Sequence, residues 1–173
     1  MKFDIVSFNK SHIKDGFDCG IAELNQYLFQ QAGQDVRKHY ATLFVAIENA
    51  TNKVIGYYTL SNTNVNLDLI PSALRKKLPK YSEVPAIRLG RLAVDKTVQG
   101  QGVGSQLLAD AAIRSILNVS AWAIMIVDAK DSKASDFYRK YGFESLMDDE
   151  RHLYIPRQDI ELSFLNSRDV LMR

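Results

Sequence analysis

The stretch Gln99–Ser105 constrains the fold most strongly, because Gly100, Gly102 and Gly104 fall within five positions there. It joins the strand-like apolar run 86–94 to apolar residues at helical spacing. A glycine costs about 1 kcal/mol relative to alanine inside a helix, so this cluster needs a reason. A tight turn is one reason. The other, which three glycines favour, is access of an anion to backbone amides at a helix N-terminus.

The spacing of the glycines argues against two nucleotide-binding motifs. A P-loop requires a lysine directly after its last glycine, whereas Ser105 and Gln106 follow Gly104. A dinucleotide fingerprint reads G-x-G-x-x-G near the start of a fold, whereas this chain has G-x-G-x-G late in its length. Neither a nucleotide triphosphatase nor a dinucleotide-binding enzyme is therefore expected.

Hydrophobic periodicity and turn residues predict one domain over residues 1–173, with a mixed α/β sheet that carries helices on both faces. Asp18 and Ser132 are expected to cap helices, and Gly142 to follow a helix C-terminus. The predicted strands are 3–6, 42–48, 53–61, 86–94, 121–129 and 152–156. The predicted helices are 20–38, 70–78, 103–117 and a short one within 132–143 that ends before Gly142.

The composition excludes several classes of protein. Cys19 is the single cysteine and the three histidines are scattered, so neither a disulfide framework nor a metal site is expected. Asp4 interrupts what would be the apolar core of a signal peptide, and no window approaches the roughly 18 apolar residues of a membrane span. A cytoplasmic protein is expected.

Positive charge is concentrated between Arg75 and Lys96. This stretch contains seven basic residues and two acidic ones, Glu83 and Asp95, so its net charge is +5, whereas the whole chain carries a net charge of +2. A solvated loop and helix face would explain this run, and so would an anionic partner.

The segment Gln99–Gly104 fits Q/R-x-x-G-x-G/A and resembles the pyrophosphate loop of the acetyltransferases related to Gcn5 (GNAT). The strand residues "RLAV" precede it, and "FYRKYGF" at 137–143 resembles the F-Y-x-x-x-G-F signature of the same family. The resemblance implies a GNAT fold: a mixed, mostly antiparallel central sheet with a splayed strand pair at the coenzyme site. It also implies acetyl-CoA as cosubstrate and no metal.

A narrower resemblance extends over nearly the whole chain. "FDCGIAELNQYLFQQA" at 17–32 and "LGRLAVDKTVQGQGVG" at 89–104 are similar to acetyltransferase toxins of bacterial toxin–antitoxin pairs. That resemblance implies acetylation of the α-amino group of aminoacyl-tRNA, which blocks translation. It also implies a ribbon–helix–helix antitoxin and a homodimer. No membrane association is expected, because the sequence has no sufficiently long apolar span.

The GNAT resemblance assigns roles to particular positions. Tyr138 matches the tyrosine that protonates the coenzyme A thiolate, and a phenol with a pKa of about 10 keeps its proton at neutral pH. On helical periodicity alone, Tyr138 would be an aromatic packing residue. The expected coenzyme-binding residues, which act through their backbones, are Leu92, Ala93 and Val94 for the thioester and pantetheine, and Gln99, Gly100, Gln101, Gly102, Val103, Gly104 and Ser105 for the pyrophosphate.

The sequence shows no convincing general base. Asp95 and Asp128 stand at strand ends, where surface or turn roles are at least as plausible. An α-amino group has a pKa of about 7.7 to 8.0, against about 10.4 for lysine, so an α-amine needs less assistance.

The basic residues are the candidates for binding tRNA. The basic residues on and just after the predicted short helix can bind the phosphates of a tRNA. Arg88 and Arg91 lie three residues apart on a strand and point to opposite faces, so one of them can contact coenzyme or tRNA while the other pairs within the protein. No signature of stacked aromatics is present, so recognition by charge and shape is expected. The full candidate set is Arg75, Lys76, Lys77, Lys80, Arg88 and Arg91.

Two other functions compete with tRNA acetylation. The chain could acetylate a small amine or a protein N-terminus, in which case the basic run is incidental. It could also be an inactive module that binds coenzyme A or a partner. Tyr138 and the intact stretch Gln99–Ser105, called the glycine loop below, argue against this.

Overall fold

The computed structural model describes residues 1–163, which form two compact units. The first unit comprises Met1–Ser61 and Leu89–Arg114, and the second comprises Asn62–Arg88 and the described residues from Ser115 onward. No helix among these residues has both the length and the apolar character needed to span a bilayer.

Within residues 1–163, seven strands lie in the hydrogen-bonded order β1-β2-β3-β4-β5-β7-β6. Antiparallel pairing joins β1 to β2, β2 to β3, β5 to β7 and β6 to β7, so the predicted mixed α/β fold with a mostly antiparallel sheet is confirmed. The strands are β1 Phe3–Ser7, β2 Thr42–Glu48, β3 Val54–Asn66, β4 Glu83–Val94, β5 Ile124–Asp128, β6 Glu144–Ser145 and β7 His152–Pro156.

The helices follow the predicted order with shifted ends. They are α1 Ala22–Gln26, α2 Ala32–Arg37, α3 Ser72–Arg75, α4 Val103–Ile116 and α5 Ser132–Lys140. A π-helical turn, Tyr27–Gln31, joins α1 to α2, and residues 157–163 are also helical. The short strand β6 and this last helical stretch are absent from the predicted elements.

Two of the predicted helix caps are wrong. Asp131, not Ser132, caps α5, because its side chain accepts a hydrogen bond from the amide of Ala134 at 2.8 Å. Ile21 precedes α1 without a side-chain cap, and the Asp18 carboxylate is engaged elsewhere. Gly142 does follow the end of α5, with a φ of +94° that suits glycine.

Each unit has its own apolar core. In the first, Tyr57 of β3 packs with Leu24 and Leu28 of the N-terminal helical region. In the second, Ile124 and Ile126 of β5 pack among buried residues of β3, β4 and β7. Burial of these side chains fixes the strands from which the site residues project.

The start of α4 lies very close to β3. A Cβ built on Gly56 would come within 2.9 Å of a methyl carbon of Leu107 and 3.1 Å of the carbonyl oxygen of Ala93. A larger residue at Gly56 would require the Leu107 side chain and the Ala93 backbone to shift, so glycine favours the close packing of α4 against β3 and β4.

Candidate active site

The glycine loop ends at the N-terminus of α4, as the sequence predicts. Gly100 and Gly102 have φ angles of +76° and +85°, in the region that favours glycine. The amide of Gln106 donates to the carbonyl oxygen of Gly102 at 3.1 Å, which makes Gly102 the residue before the first helical turn. A helix leaves its first amides without partners, so those of Val103, Gly104 and Ser105 are available to a ligand.

The space beside the loop is open. A Cβ on Gly100 would meet no atom within 4 Å, and one on Gly102 would meet only the Ser105 hydroxyl, at 3.9 Å. The positive φ angles, rather than crowding within the protein, therefore require glycine at these two positions. Unpaired amides that open onto free space fit the diphosphate of a coenzyme.

Asp95 shapes the turn that leads into the loop. Its carboxylate accepts hydrogen bonds from the amide and hydroxyl of Thr97, at 2.9 and 2.6 Å, and from the amide of Asp18, at 2.9 Å. Burial alone would raise the pKa of Asp95, but these hydrogen bonds hold it below its ordinary value. The contacts favour a structural role for Asp95 over that of a general base.

The segment Phe17–Gly20 supports the glycine loop from the side. The amide of Lys96 donates to the carbonyl oxygen of Asp18 at 2.8 Å, and the side-chain amide of Gln99 donates to the carbonyl oxygen of Cys19 at 3.0 Å. Because the Gln99 side chain is held by hydrogen bonds within the protein, only the backbone of Gln99 remains to contact a ligand. Sequence reasoning missed this supporting role, although the segment belongs to the stretch that resembles the toxins.

The Asp18 side chain holds the segment Phe17–Gly20 in place beside the glycine loop. Its carboxylate lies 2.6 Å from the ammonium of Lys96 and accepts hydrogen bonds from the amide of Gly20 and the side chain of Asn25, each at 2.8 Å. The hydrogen bond with Lys96, followed by those from Gly20 and Asn25, lowers the pKa of Asp18 to about 2. Asp18 therefore remains ionised throughout the physiological range.

The backbone predicted to bind the thioester lies at the end of β4. Ala93 is buried, whereas Leu92 and Val94 are partly exposed. The carbonyl oxygen of Val94 accepts a hydrogen bond from the Gln99 side chain at 2.9 Å. Leu92–Val94 and the glycine loop thus lie on one continuous part of the first unit.

Tyr138 lies on α5 in the second unit. Its side chain is 5% exposed, and its ring centroid lies 5.2 Å from that of Phe137 and 5.4 Å from that of Phe143. Burial raises the pKa of Tyr138 above its ordinary value, so the phenol keeps its proton at neutral pH. Among the described residues no hydrogen-bond partner is found for its hydroxyl, which leaves that group free to donate.

Asp128 ends β5 opposite His152 of β7 and lines a pocket of about 370 Å³ in the second unit. Its two carboxylate oxygens lie 3.2 Å from Arg88 Nη1 and 3.4 Å from His152 Nε2. His152 Nδ1 also lies 3.0 Å from Asp148. Burial works to raise the pKa of Asp148, but its hydrogen bond to His152 lowers it. These contacts favour ion pairing over proton abstraction by Asp128.

Four of the basic residues in the charged run have partners within their own unit. Arg75 pairs with Asp68 at 3.7 Å, Arg88 with Asp128, and Lys96 with Asp18. The fourth, Arg91, stacks its guanidinium over Tyr27, 3.6 Å from the ring centroid. Arg88 and Arg91 therefore both make intramolecular contacts, whereas the sequence predicts this for one of them.

The remaining lysines of the predicted tRNA-binding set, Lys76, Lys77 and Lys80, are exposed. For none of them does the described chain show an ion pair. All three lie in the second unit, as do Arg75 and Arg88, whereas Arg91 lies in the first.

Comparison with known proteins decides the family. Residues 39–145 match the model of the acetyltransferase (GNAT) domain. The chain belongs to the GNAT acetyltransferase family. The enzyme is an N-acetyltransferase with acetyl-CoA as cosubstrate, and the amides at the start of α4 together with the positive φ angles of Gly100 and Gly102 fit that cosubstrate.

This GNAT acetyltransferase is similar to several toxins over most of its length. A tRNA-acetylating toxin of Mycobacterium tuberculosis (strain ATCC 25618 / H37Rv) is 32% identical over 145 residues, which are 83% of this chain and 85% of the relative. AtaT complexed with acetyl-methionyl-tRNAfMet is 30% identical with a TM-score of 0.85, over 94% of this chain and 99% of that chain.

A tyrosine-to-phenylalanine mutant of the AtaT toxin, bound to the C-terminus of the antitoxin AtaR and to acetyl-CoA, is also similar. It is 29% identical with a TM-score of 0.77, over 94% of this chain and 98% of that chain. The similarity to these toxins covers regions outside the matched acetyltransferase domain, including the N-terminal helices.

Proposed function

We propose that this N-acetyltransferase is the toxin of a toxin–antitoxin pair and acetylates the α-amino group of aminoacyl-tRNA in the cytoplasm, which blocks translation. The observation that carries the proposal is the similarity to AtaT with acetyl-methionyl-tRNAfMet, which extends over 94% of this chain at a TM-score of 0.85. Nearly the whole chain would then form a single catalytic domain, as the sequence predicts.

Acetyl-CoA supplies an acyl group that is already activated as a thioester. In this proposal the backbone amides from Gln99 to Ser105 bind its pyrophosphate, and the backbone of Leu92–Val94 binds the pantetheine arm and polarises the thioester carbonyl. The open space beside Gly100 and Gly102 supports this assignment. The contacts of Asp95, Gln99 and Asp18 keep these amides in place.

Tyr138 is the proposed general acid. The substrate nitrogen attacks the thioester carbon, the carbon–sulfur bond breaks, and the departing sulfur takes the proton from the Tyr138 hydroxyl. The phenol carries its proton at neutral pH, and its hydroxyl has no partner among the described residues, which supports this role. An α-amine with a pKa of about 7.7 to 8.0 is partly neutral at cellular pH, so it can attack without a general base. Water takes the proton that the nitrogen loses after the attack, and a proton from solvent restores the Tyr138 hydroxyl.

The proposed partners are an antitoxin and a second copy of the chain. AtaT bound to the C-terminus of AtaR supports an antitoxin partner. The ribbon–helix–helix fold of that antitoxin and the homodimer are implied by the family resemblance.

Growth and translation test the proposed function. Expression of the chain should arrest growth, and the purified protein should inhibit cell-free translation only when acetyl-CoA is present. Tyr138→Phe should relieve both effects. Inhibition that is independent of acetyl-CoA would contradict the proposal, and acetylation of a small amine or a protein N-terminus without any effect on translation would favour that alternative function.

A further inference from the structure

Lys76, Lys77 and Lys80, which make no ion pair with any described residue, lie on one short stretch of the second unit, together with an exposed aromatic residue. Lys76, Lys77, Lys80 and Tyr81 all fall between the end of α3 and the start of β4. The Tyr81 side chain is 74% exposed. We call residues 76–81 the lysine–tyrosine segment.

The fold anchors this segment by its apolar residues. Leu74 and Leu78 pack against the core of the second unit, and the amide of Leu67 donates to the carbonyl oxygen of Ser82 at 2.9 Å. The lysines and Tyr81 face solvent, as does Pro79 between them. A fixed backbone that presents them lowers the entropy lost when a ligand binds.

The chemistry of the segment is that of a site for single-stranded nucleic acid. Such sites combine cations, which contact the phosphates, with an aromatic ring on which an unpaired base stacks. Tyr81 shows no ring contact or hydroxyl hydrogen bond within the described chain, so both faces of its ring are available. The three lysines make no ion pair with any described residue, and the neighbouring Asp68 is paired with Arg75.

We infer that the lysine–tyrosine segment binds an unpaired stretch of RNA, with a base stacked on Tyr81 and phosphates bound by Lys76, Lys77 and Lys80. The inference rests on the proposed function, in which the substrate is a tRNA. Paired bases present no free face to a tyrosine, so the segment distinguishes single-stranded RNA from a duplex. The structure thereby adds a stacking residue to recognition by charge and shape.

Binding of labelled RNA to the full chain tests the inference. Tyr81→Ala should weaken binding of a short single-stranded RNA about tenfold, whereas Tyr81→Phe, which keeps the ring, should stay within about twofold of the wild type. Neither variant should change binding of a duplex of the same length. Tyr40→Ala is the matched control, because Tyr40 is 76% exposed and lies in the other unit.

The contribution of the lysines can be distinguished from that of Tyr81 by the dependence of RNA affinity on salt concentration. Each of Lys76→Gln, Lys77→Gln and Lys80→Gln should lower the slope of log affinity against log salt by about 0.7 for single-stranded RNA. Tyr81→Ala should leave that slope unchanged. Equal binding of single-stranded RNA by Tyr81→Ala and the wild type would overturn the inference, as would variants of the segment that weaken binding of an antitoxin peptide but not of RNA.

Acetylation of charged tRNA, measured in parallel, separates this inference from the proposed function. If the wild type acetylates charged tRNA and Tyr81→Ala has the same KM for it, the inference fails and the proposed function stands. If the wild type leaves charged tRNA unmodified while Tyr81→Ala loses RNA binding, the proposed function fails and the inference stands.

Discussion

The backbone amide of Asp18 donates a hydrogen bond to the Asp95 carboxylate at 2.9 Å, across 77 positions of the sequence. Through this contact the segment Phe17–Gly20 supports the turn that leads into the glycine loop. Lys96 and Gln99 add two more hydrogen bonds between the same segments. The geometry of the coenzyme loop therefore depends on residues near the N-terminus, outside the glycine motif itself.

Asp95→Ala should disturb both stability and coenzyme binding. The substitution removes a buried acceptor and leaves the amides of Asp18 and Thr97 without their partner, which should cost about 2 kcal/mol in the free energy of unfolding. Urea denaturation measures that loss, and calorimetric titration should show weaker binding of acetyl-CoA. Unchanged affinity for acetyl-CoA would show that the support from Asp18 does not shape the loop.

Gly102→Ala should weaken coenzyme binding through the backbone. Its φ of +85° is unfavourable for alanine by about 1 to 2 kcal/mol, and relaxation of that strain would redirect the amides that follow. Gly33→Ala is the matched control, since Gly33 lies in α2 with open space around it and should gain up to about 1 kcal/mol of stability. Equal affinities of the two variants for acetyl-CoA would contradict the proposed pyrophosphate site.

Tyr138→Phe should separate catalysis from binding. The variant keeps the buried ring and its contacts with Phe137 and Phe143 but loses the proton donor. We expect kcat to fall about 100-fold or more while the KM for acetyl-CoA changes little. Steady-state assays of thiol release measure both constants, and an unchanged kcat would refute the acid role.

The stability of the protein should depend on Asp18 in acid. Its pKa is lowered to about 2, so the stabilisation that it provides is present above its ordinary pKa of 3.8 and is lost as the pH falls toward 2. Asp18→Asn should therefore lower the Tm at pH 7, and the difference from the wild type should shrink as the pH falls through this window. A difference in Tm that is constant between pH 7 and pH 3 would contradict this assignment.

Much of the loop could be predicted from sequence because its signals are local. Gly100 and Gly102 adopt the backbone angles that only glycine accepts readily, and α4 begins at Val103 as its apolar spacing predicts. The N-cap of α5 was less predictable, because Asp131 and Ser132 are adjacent and both are residue types that commonly cap helices. Which of them caps depends on the backbone angle at which the chain enters α5.

Long-range partners explain the remaining errors. Asp18 is of a capping type and stands shortly before a helix, but its carboxylate binds Lys96, which is distant in sequence. The same holds for Arg88, whose partner Asp128 comes from another strand. The exposure of the Tyr81 ring could not be recognised in the sequence, because a tyrosine that follows Pro79 and Lys80 can equally be buried.

Mass spectrometry of charged tRNA tests the central claim most directly. The purified enzyme is incubated with isotopically labelled acetyl-CoA and total aminoacyl-tRNA, and the amino acids are then released and analysed. We predict a labelled acetyl group on the α-nitrogen of at least one amino acid, with an equal amount of free thiol, and about 100-fold less of both products in the same time with Tyr138→Phe. Thiol release with the label found only on small amines or protein N-termini would contradict the account.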